Sequence, residues 1–312
     1  MVGRRKVVSG RWSVVSWRRF AAGFLCGLLS IAFCVLAMNG SSLGAEPSNE
    51  TLIIAPHSDD EAIGCTALML RALANNERIA IVVVTAGDGF PKAAAAAAQK
   101  PIADLKPSDY EALASLRQRH TLEAITSLGI AAGDILFLGY PDGGLRAMHD
   151  ADGTTPYRQP HTTRTATYGM IRPDYHSTKH ETSAPYTKSA VVADLMEIIR
   201  ARSPKQIFTT LDIDTHADHR AVSLYVREAV KQVNYVGPVR GYVVHGAEPK
   251  TEPDLRLVLT PEELRRKRSV LEIYQAGVSP VHDGLADEYT KPEERFWKID
   301  ALGTETIPDK KP

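Results

Sequence analysis

Short apolar runs alternate along this chain with longer stretches that have a helical period. The apolar runs are rich in β-branched residues and fall at Thr51–Ala55, Ile79–Thr85, Ile135–Leu138, Gln206–Leu211, Gly241–His245 and Leu255–Leu259. The helical patterns fall at Ala62–Ala74, Tyr110–Leu128, Ser189–Arg202, Asp218–Val233 and Pro261–Gln275. Strands that alternate with helices predict an α/β fold in which helices cover both faces of a mostly parallel sheet.

Two segments interrupt this alternation. The first, Pro91 to Pro107, contains the run Ala93–Ala98 and predicts a short helix or a mobile flap. The second, Asp150 to Thr187, is polar and rich in Thr, Tyr, His and Pro. A loop of this length in a compact domain is usually functional or disordered. We expect it to border a pocket and to help select the substrate through its tyrosines; the alternative is a surface excursion with no role.

Residues 1–45 have the pattern of a targeting segment. Six basic residues precede the apolar run Phe20–Met38, and no acidic residue occurs in this part of the chain. This pattern is typical of a signal peptide, and the run is also near the minimum of about 17 residues for a spanning helix. We expect residues 1–45 to be a signal peptide or an N-terminal membrane anchor, with the domain outside the cytoplasm, periplasmic or extracellular.

The rest of the chain, residues 46–312, is long enough for one large domain. It contains 31 basic and 37 acidic residues, a net charge of −6. This balance argues against a nucleic-acid partner bound by bulk charge. Cys65 is the single cysteine of this part, so we expect no internal disulfide even in an exported domain.

The first polar cluster, His57 to Glu61, follows the predicted strand Thr51–Ala55 and precedes a predicted helix. In an open parallel sheet such a turn lies at the carboxyl end of a strand, where ligands bind. The structural alternative is a capping box, in which Ser58 and Glu61 satisfy the first amides of the helix. A capping box needs neither the preceding histidine nor two further carboxylates.

The second polar cluster, Asp212 to Arg220, also follows a predicted strand and opens a helix. It contains His216 and His219 with an acid between them. Thr215 and Asp218 form another helix-start pattern, so the structural alternative applies here too. If the two strands are neighbours, the two clusters face one another.

Together the clusters contain the residue types of a hydrolytic metal site. One histidine of the second cluster, His57 and one carboxylate would form a two-histidine, one-carboxylate set. Zinc accepts such a set and keeps one position for water. A second carboxylate would then be free as a general base, and a second histidine could stabilise a developing oxyanion. The combination favours a metal-dependent hydrolase over two helix caps.

Four segments resemble the PIG-L/LmbE-like de-N-acetylase family. Pro56 to Glu61 is similar to the family's His-Pro-Asp-Asp-Glu signature, and His216 to His219 is similar to its His-Pro-Asp-His. Leu138 to Gly143 resembles its Leu-Gly-x-x-Asp-Gly segment, and Tyr274-Gln275 resembles a late Tyr-Gln pattern. The resemblance spans Thr51 to about Trp297.

This resemblance implies a Rossmann-like α/β fold and a zinc-dependent amidohydrolase. The implied substrate is an N-acetylated amino sugar or glycoconjugate, from which the acetyl group is removed. By motif position, His57, Asp60 and His219 would bind one zinc ion.

The resemblance also implies roles for five other residues. Asp59 would be the general base, and His216 would stabilise the oxyanion or protonate the leaving amine. Asp218 would orient a histidine. Arg117 and Asp142 fall where the family places a substrate-contacting arginine and a pocket aspartate.

The chain departs from the family pattern at four positions. Ser58 and Ala217 replace prolines inside the two motifs, although no ligand is lost. His120 stands where many members have a glutamate, which weakens the assignment of Arg117. Asp214 stands where some members have a tyrosine near the reacting carbonyl, so their substrates do not carry over.

Two other functions fit parts of the sequence. Asp212-Ile213-Asp214 is an Asp-x-Asp that could hold a divalent metal in a glycosyltransferase, but this leaves His57, His216 and His219 without a role. The other alternative is an exported carbohydrate-binding protein without catalysis, which does not explain the complete ligand set and the spare carboxylate.

Overall fold

The computed structural model describes residues 48–300, except residues 152 and 154. This part of the chain contains seven strands: β1 (Glu50–Ala55), β2 (Arg78–Thr85), β3 (Ile135–Tyr140), β4 (Gln206–Thr210), β5 (Val239–Tyr242), β6 (Leu255–Val258) and β7 (Glu293–Lys298). Its α-helices are α1 (Asp60–Ala74), α2 (Pro91–Ala98), α3 (Pro107–Ser127), α4 (Leu145–Asp150), α5 (Tyr175–His180), α6 (Lys188–Arg202), α7 (Ala217–Gln232), α8 (Pro261–Gln275) and α9 (Leu285–Tyr289).

The strands form one sheet in the order β3-β2-β1-β4-β5-β7-β6. Strands β1 to β5 are parallel, whereas β7 runs antiparallel to both β5 and β6. The chain adds β2 and β3 on one side of β1 and β4 on the other. The boundary between β1 and β4 is therefore a topological switch point, where the connections leave a crevice at the carboxyl ends of the strands.

Both faces of the sheet are buried. Leu52 and Ile54 of β1 pack in a cluster with residues of α6 and α7. Ile53 packs in a second cluster with residues of α1, α3 and α8. Successive side chains of a strand point to opposite faces, so this division means that helices cover both sides, as expected for a parallel sheet. The predicted α/β class is confirmed.

The antiparallel strand β7 is tied to α8 by a buried ion pair and to α1 by hydrogen bonds from two backbone amides. Lys267 Nζ lies 2.9 Å from Glu294 Oε1, and both side chains are 1% exposed. The Glu294 carboxylate also accepts the amides of Ala67 and Leu68 at 2.9 and 3.0 Å. These amides follow an irregular turn of α1 at Cys65, where φ is −134° and ψ is 15°. Glu294 thus supplies acceptors where the helix has lost its regular pattern.

The other interruptions of the pattern also have a defined structure. Pro91–Ala98 forms α2, which agrees with the short-helix alternative. The Asp150–Thr187 segment contains the short helix α5, and an isolated bridge pairs Ala166 with Pro185. The targeting segment predicted for residues 1–45 lies outside the described residues. Within the described part of the chain, no helix has the length and apolar character needed to cross a membrane.

Candidate active site

The turn between β1 and α1 carries the first polar cluster. Helix α1 begins after Asp59, whose carbonyl accepts the amides of Ala62 and Ile63. The N-cap residue is Asp59 rather than Ser58, and its side chain makes no cap hydrogen bond among the described residues, so the capping box of Ser58 and Glu61 does not form. Asp59 has a φ of 109° and a ψ of −32°, a backbone conformation that residues other than glycine rarely adopt. Helix capping therefore does not explain the conformation of this turn.

The turn between β4 and α7 carries the second cluster. His216 is the N-cap of α7, and its Nδ1 accepts the amide of Asp218 at 3.3 Å. The residue that caps this helix is therefore His216, and not Thr215 as the helix-start pattern suggested. Because β1 and β4 are adjacent parallel strands, this turn faces the first cluster.

Three ligand atoms from the two turns form a compact triangle. His57 Nδ1 lies 3.1 Å from Asp60 Oδ2 and 3.2 Å from His219 Nε2. His219 Nε2 lies 3.2 Å from the same Asp60 oxygen. All three residues are buried. Two further groups also have ligand atoms within 4.8 Å of one another: His57 with His216 and His219, and His57 with Asp142 and Asp218.

The triangle has the size that a tetrahedral metal requires. Bonds of about 2.0–2.1 Å from zinc to nitrogen or oxygen place two tetrahedral ligands about 3.3–3.4 Å apart. The three observed separations are 3.1, 3.2 and 3.2 Å. Two imidazole nitrogens and one carboxylate oxygen are also a ligand set that zinc accepts while keeping an open position. The residues therefore fit a divalent ion.

Each histidine of the triangle is held through its other ring nitrogen. His219 Nδ1 lies 3.1 Å from Asp214 Oδ2. His57 Nε2 lies 3.3 Å from Asp142 Oδ1 and 3.4 Å from Asp218 Oδ2. A carboxylate behind a ligating histidine fixes the orientation of the ring and raises its basicity. The arrangement aims both histidines at the centre of the triangle.

The surrounding carboxylates favour positive charge at this point. Burial lowers the pKa of His57, but Asp142, Asp218 and Asp60 outweigh it and raise that pKa well above its usual value. Burial likewise opposes protonation of His219, yet Asp60 and Asp214 raise its pKa to about 9. A field that stabilises a protonated imidazole also stabilises a metal cation in its place.

Arg117 lies between the carboxylates of Asp59 and Asp142, beside the triangle. Its guanidinium donates to the Ser58 carbonyl at 3.0 Å and lies 3.7 Å from Asp59 Oδ2 and 3.5 Å from Asp142 Oδ2. Burial raises the pKa of Asp59, Arg117 opposes this rise, and Asp60 adds to it. The departure at His120 does not displace Arg117, because the His120 ring lies against the edge of the Tyr274 ring instead.

His216 and Asp218 have separate positions in the site. The His216 ring is partly exposed and lies 4.8 Å, between ring centroids, from both His57 and His219. Burial and the two neighbouring histidines lower the pKa of His216 to about 4. The carboxylate of Asp218 accepts the amides of Gly143 and Leu145 at 2.6 and 3.0 Å. Asp218 thereby joins the turn after β3 to the start of α7 and lies behind His57.

The long segment between Asp150 and Thr187 reaches the site through Asp88. The Tyr168 hydroxyl donates to Asp88 Oδ2 at 2.8 Å, and Gln159 Nε2 lies 3.4 Å from the Asp88 and Asp142 carbonyls. Asp88 Oδ1 accepts the Asp142 amide at 3.2 Å. Burial and the neighbouring Asp142 raise the pKa of Asp88 to about 6. The segment therefore supports the backbone of a site residue.

The tyrosines of this segment differ in what they can offer a substrate. Tyr168 is buried with the Arg164 guanidinium 4.0 Å over its ring, and Tyr175 is buried near β3. Neither presents a ring face to a ligand, which differs from the expectation for these two residues. Tyr157 is partly exposed and lies against Gly144, next to the turn that follows β3.

Three groups of the site were not predicted from the sequence. Asp214 accepts the amides of Val244 and His245 in addition to holding His219. The His245 ring lies 5.1 Å from His219 between centroids. Asp88 is the third. His245 follows strand β5, and Asp88 follows strand β2. Polar residues that follow parallel strands converge at one edge of the sheet, and this rule could have identified both residues from the sequence.

The Asp-x-Asp of the alternative glycosyltransferase does not converge on one point. Asp212 pairs with Arg227 at 3.0 Å, whereas Asp214 is buried against His219. The two carboxylates have different partners, and the motif offers no shared metal position.

Comparison with known proteins identifies relatives of this arrangement. Residues 52–230, more than half of the chain, match the family PIG-L: GlcNAc-PI de-N-acetylase. None of the curated proteins matches.

Solved structures with similar folds include three deacetylases. N,N'-diacetylchitobiose deacetylase from Pyrococcus horikoshii is 18% identical with a TM-score of 0.51, over 94% of this chain and 99% of that chain. A triple mutant of a deacetylase of teicoplanin biosynthesis is 18% identical with a TM-score of 0.52, over 80% and 97%. The A40926 pseudoaglycone deacetylase is 16% identical with a TM-score of 0.50, over 82% and 98%. These similarities show a shared fold.

The family match includes both polar clusters and the segment after β3, the same stretches that carry the sequence resemblance. It confirms that resemblance, and the chain belongs to the PIG-L family.

Proposed function

We propose that this protein is a zinc-dependent hydrolase that removes the N-acetyl group from an amino sugar or glycoconjugate. The observation that carries the proposal is the triangle of His57 Nδ1, Asp60 Oδ2 and His219 Nε2, with edges of 3.1–3.2 Å. The neighbouring Asp59 carboxylate is not part of the triangle, and Arg117 lies beside it. A ligand set with a spare carboxylate is what amide hydrolysis at neutral pH requires.

His57, Asp60 and His219 would hold the ion, which when bound supplies Lewis acidity to a water molecule and to the substrate carbonyl. Asp59 would accept a proton from the attacking water. Its burial raises its pKa, which makes it a better proton acceptor than an exposed carboxylate. Arg117 would keep Asp59 oriented and limit that rise.

His216 would act as a hydrogen-bond donor to the reacting carbonyl oxygen or the leaving amine. Its Nδ1 accepts the Asp218 amide, so the neutral ring carries its proton on Nε2. The lowered pKa of about 4 keeps the ring neutral at pH 7 in the metal-free protein. A neutral donor beside the triangle suits stabilisation of a developing oxyanion.

The substrate class is supported by the family and by the pocket. The family is described as GlcNAc-PI de-N-acetylase, and one structural neighbour is a diacetylchitobiose deacetylase. Asp142 and Arg117 offer charged hydrogen-bonding groups beside the triangle, and the partly exposed Tyr157 ring lies against Gly144, two residues after Asp142. These groups suit the hydroxyls and faces of a sugar.

We also propose that the domain acts outside the cytoplasm, released or anchored through residues 20–38. Six basic residues before this run, with none of opposite charge, support that orientation. A C-terminal reporter fusion should be active only when exported. Reporter activity confined to the cytoplasm would contradict the proposal.

The activity is tested by amine release from a panel of N-acetylated sugars, measured with the zinc-loaded protein and after chelation. We expect turnover that chelation abolishes and zinc restores. Asp59→Asn should lower the rate by roughly 100- to 10,000-fold, the loss typical of a general base. Asp212→Asn is the matched control, because Asp212 pairs with Arg227 away from the triangle. Turnover in Asp59→Asn equal to that of the control would refute the assignment.

A further inference from the structure

The peptide bond between Ser58 and Asp59 is held from both ends. The Ser58 carbonyl accepts a hydrogen bond from Arg117 Nη2 at 3.0 Å. The Asp59 amide donates to Glu61 Oε2 at 3.2 Å. Both partners are buried side chains. The orientation of this peptide plane therefore depends on two long side chains, one from α3 and one from α1.

This peptide plane determines the unusual conformation of Asp59. The φ angle of a residue is the rotation that relates its preceding peptide plane to its own carbonyl carbon. For Asp59 that angle is 109°, which the aspartate would not adopt without restraint. Turning the plane to an ordinary φ would break the bond to Glu61 and the bond to Arg117. The two bonds thus hold the residue where its carboxylate lies 3.7 Å from Arg117.

Glu61 is in turn held by a residue from the far end of the domain. Its side chain is fully buried, and its second oxygen, Oε1, accepts a short hydrogen bond from the Tyr274 hydroxyl. Tyr274 lies on α8 and is 2% exposed. The Tyr274 carbonyl also contacts His282 Nδ1 at 3.1 Å. Helix α8 therefore reaches the general base through one tyrosine and one glutamate.

We infer that Glu61 and Tyr274 are positioning residues that hold the Asp59 backbone in its strained conformation and so aim its carboxylate. The inference rests on the proposed function, since it assigns their effect to Asp59 as the base. Both side chains are buried, and their hydrogen bonds join the Asp59 amide to Glu61 and Glu61 to Tyr274. Their removal should lower kcat while leaving KM and zinc content unchanged.

The test compares Glu61→Leu, Glu61→Gln and Tyr274→Phe. Glu61→Leu removes both bonds and should lower kcat by up to about 100-fold, the loss that a misplacement of about 1 Å can cause. Glu61→Gln can accept from the Asp59 amide and donate to Tyr274, so it should restore kcat to within a few-fold of the unsubstituted protein. Tyr274→Phe should fall between them. Tyr235→Phe is the matched control, because the Tyr235 hydroxyl has no hydrogen-bond partner in the part of the chain that the structure describes.

The decisive comparison repeats Glu61→Leu in the Asp59→Asn protein. If Glu61 acts through Asp59, the second substitution costs little further activity, because the group that it positions is already gone. If the fold-loss of kcat in the double variant equals the product of the losses in Asp59→Asn and Glu61→Leu, the inference is overturned. Full kcat in Glu61→Leu alone would overturn it too. If Glu61→Leu does not fold, Tyr274→Phe is combined with Asp59→Asn in its place, with the same two outcomes.

A crystal structure of the metal-free Glu61→Leu or Tyr274→Phe protein separates this inference from the proposed activity. We expect φ of Asp59 to leave its value near 109° in Glu61→Leu. An unchanged φ would overturn the positioning role even in an active enzyme. Absence of amine release by the unsubstituted protein would instead refute the proposed function.

Discussion

Replacing Asp59 by glycine and by alanine separates its backbone strain from its carboxylate. Both variants lack the side-chain charge beside Arg117, and both should lose turnover. They differ only in a methyl group on a residue whose φ is 109°. Alanine keeps the steric conflict of this conformation, and glycine removes it. The difference in their stability therefore reports the strain together with the greater flexibility of glycine in the unfolded chain.

The size of the difference follows from two opposing terms. A residue other than glycine in a sparsely populated region costs of order 1–3 kcal/mol. Glycine loses roughly 0.4–1 kcal/mol relative to alanine because its unfolded chain is more flexible. Asp59→Gly should therefore be more stable than Asp59→Ala by about 1 kcal/mol. At an ordinary helical position the sign is opposite, with glycine about 1 kcal/mol less stable.

Urea unfolding of the metal-free variants measures this difference. The comparison requires that the free energy of unfolding depends on urea concentration with the same slope in both variants. Ala193→Gly is the control, because Ala193 is exposed in the middle of α6. We expect opposite signs at the two positions. If glycine in place of alanine lowers the free energy of unfolding at residue 59 by as much as at residue 193, the backbone of Asp59 is not strained.

Three further predictions concern metal binding, the core and pH. Asp214→Ala should weaken zinc binding by about 10- to 100-fold, because Asp214 orients His219. Titration with a zinc indicator measures the affinity, and an unchanged affinity would contradict this role. Lys267→Met should lower the free energy of unfolding by about 3–5 kcal/mol, because it leaves Glu294 buried without its cation; urea unfolding checks this, and a loss under 1 kcal/mol would contradict it. Burial lowers the pKa of His120 to about 4, below its unfolded value, so stability should fall as the pH drops from about 6.5 toward 4. His120→Leu should be less sensitive to pH over that range, and an unchanged pH profile would contradict this origin.

Much of the fold was predictable because its central strands are buried on both faces. Residues Leu52 to Ala55 of β1 form an uninterrupted apolar run bounded by Pro56, and α8 begins and ends where the pattern places it. Strand β7 was missed because Glu293, Glu294 and Arg295 give it a charged sequence. Its burial depends on Lys267, which lies 27 residues away along the chain. A local pattern cannot reveal such a partner.

The end of β5 illustrates a second limit. The apolar pattern extends the strand to His245, but the strand ends at Tyr242. The amides of Val244 and His245 donate to Asp214 instead of continuing the ladder. Tertiary hydrogen bonds at the site thus override the local preference for an extended strand.

The candidate site was predictable to the extent that it depends on the positions of the polar clusters after strands of the sheet. Both clusters follow strands, and the adjacency of β1 and β4 brings them together. The roles of Asp214, Asp88 and Glu61 depend on which side chain meets which amide or ring nitrogen. The spacing of Ser58 and Glu61 even suggests a capping box, whereas Glu61 accepts the Asp59 amide and the Tyr274 hydroxyl. Sequence spacing does not distinguish these two arrangements.

The proposed zinc site requires that His57, Asp60 and His219 bind one zinc ion while Asp59 stays free to accept a proton. It is tested most directly by the zinc content of the unsubstituted protein, Asp59→Asn and Asp60→Asn after equilibration at the same free zinc concentration. We expect one zinc ion in the first two proteins and a large loss in Asp60→Asn. Full zinc retention in Asp60→Asn together with zinc loss in Asp59→Asn would contradict it.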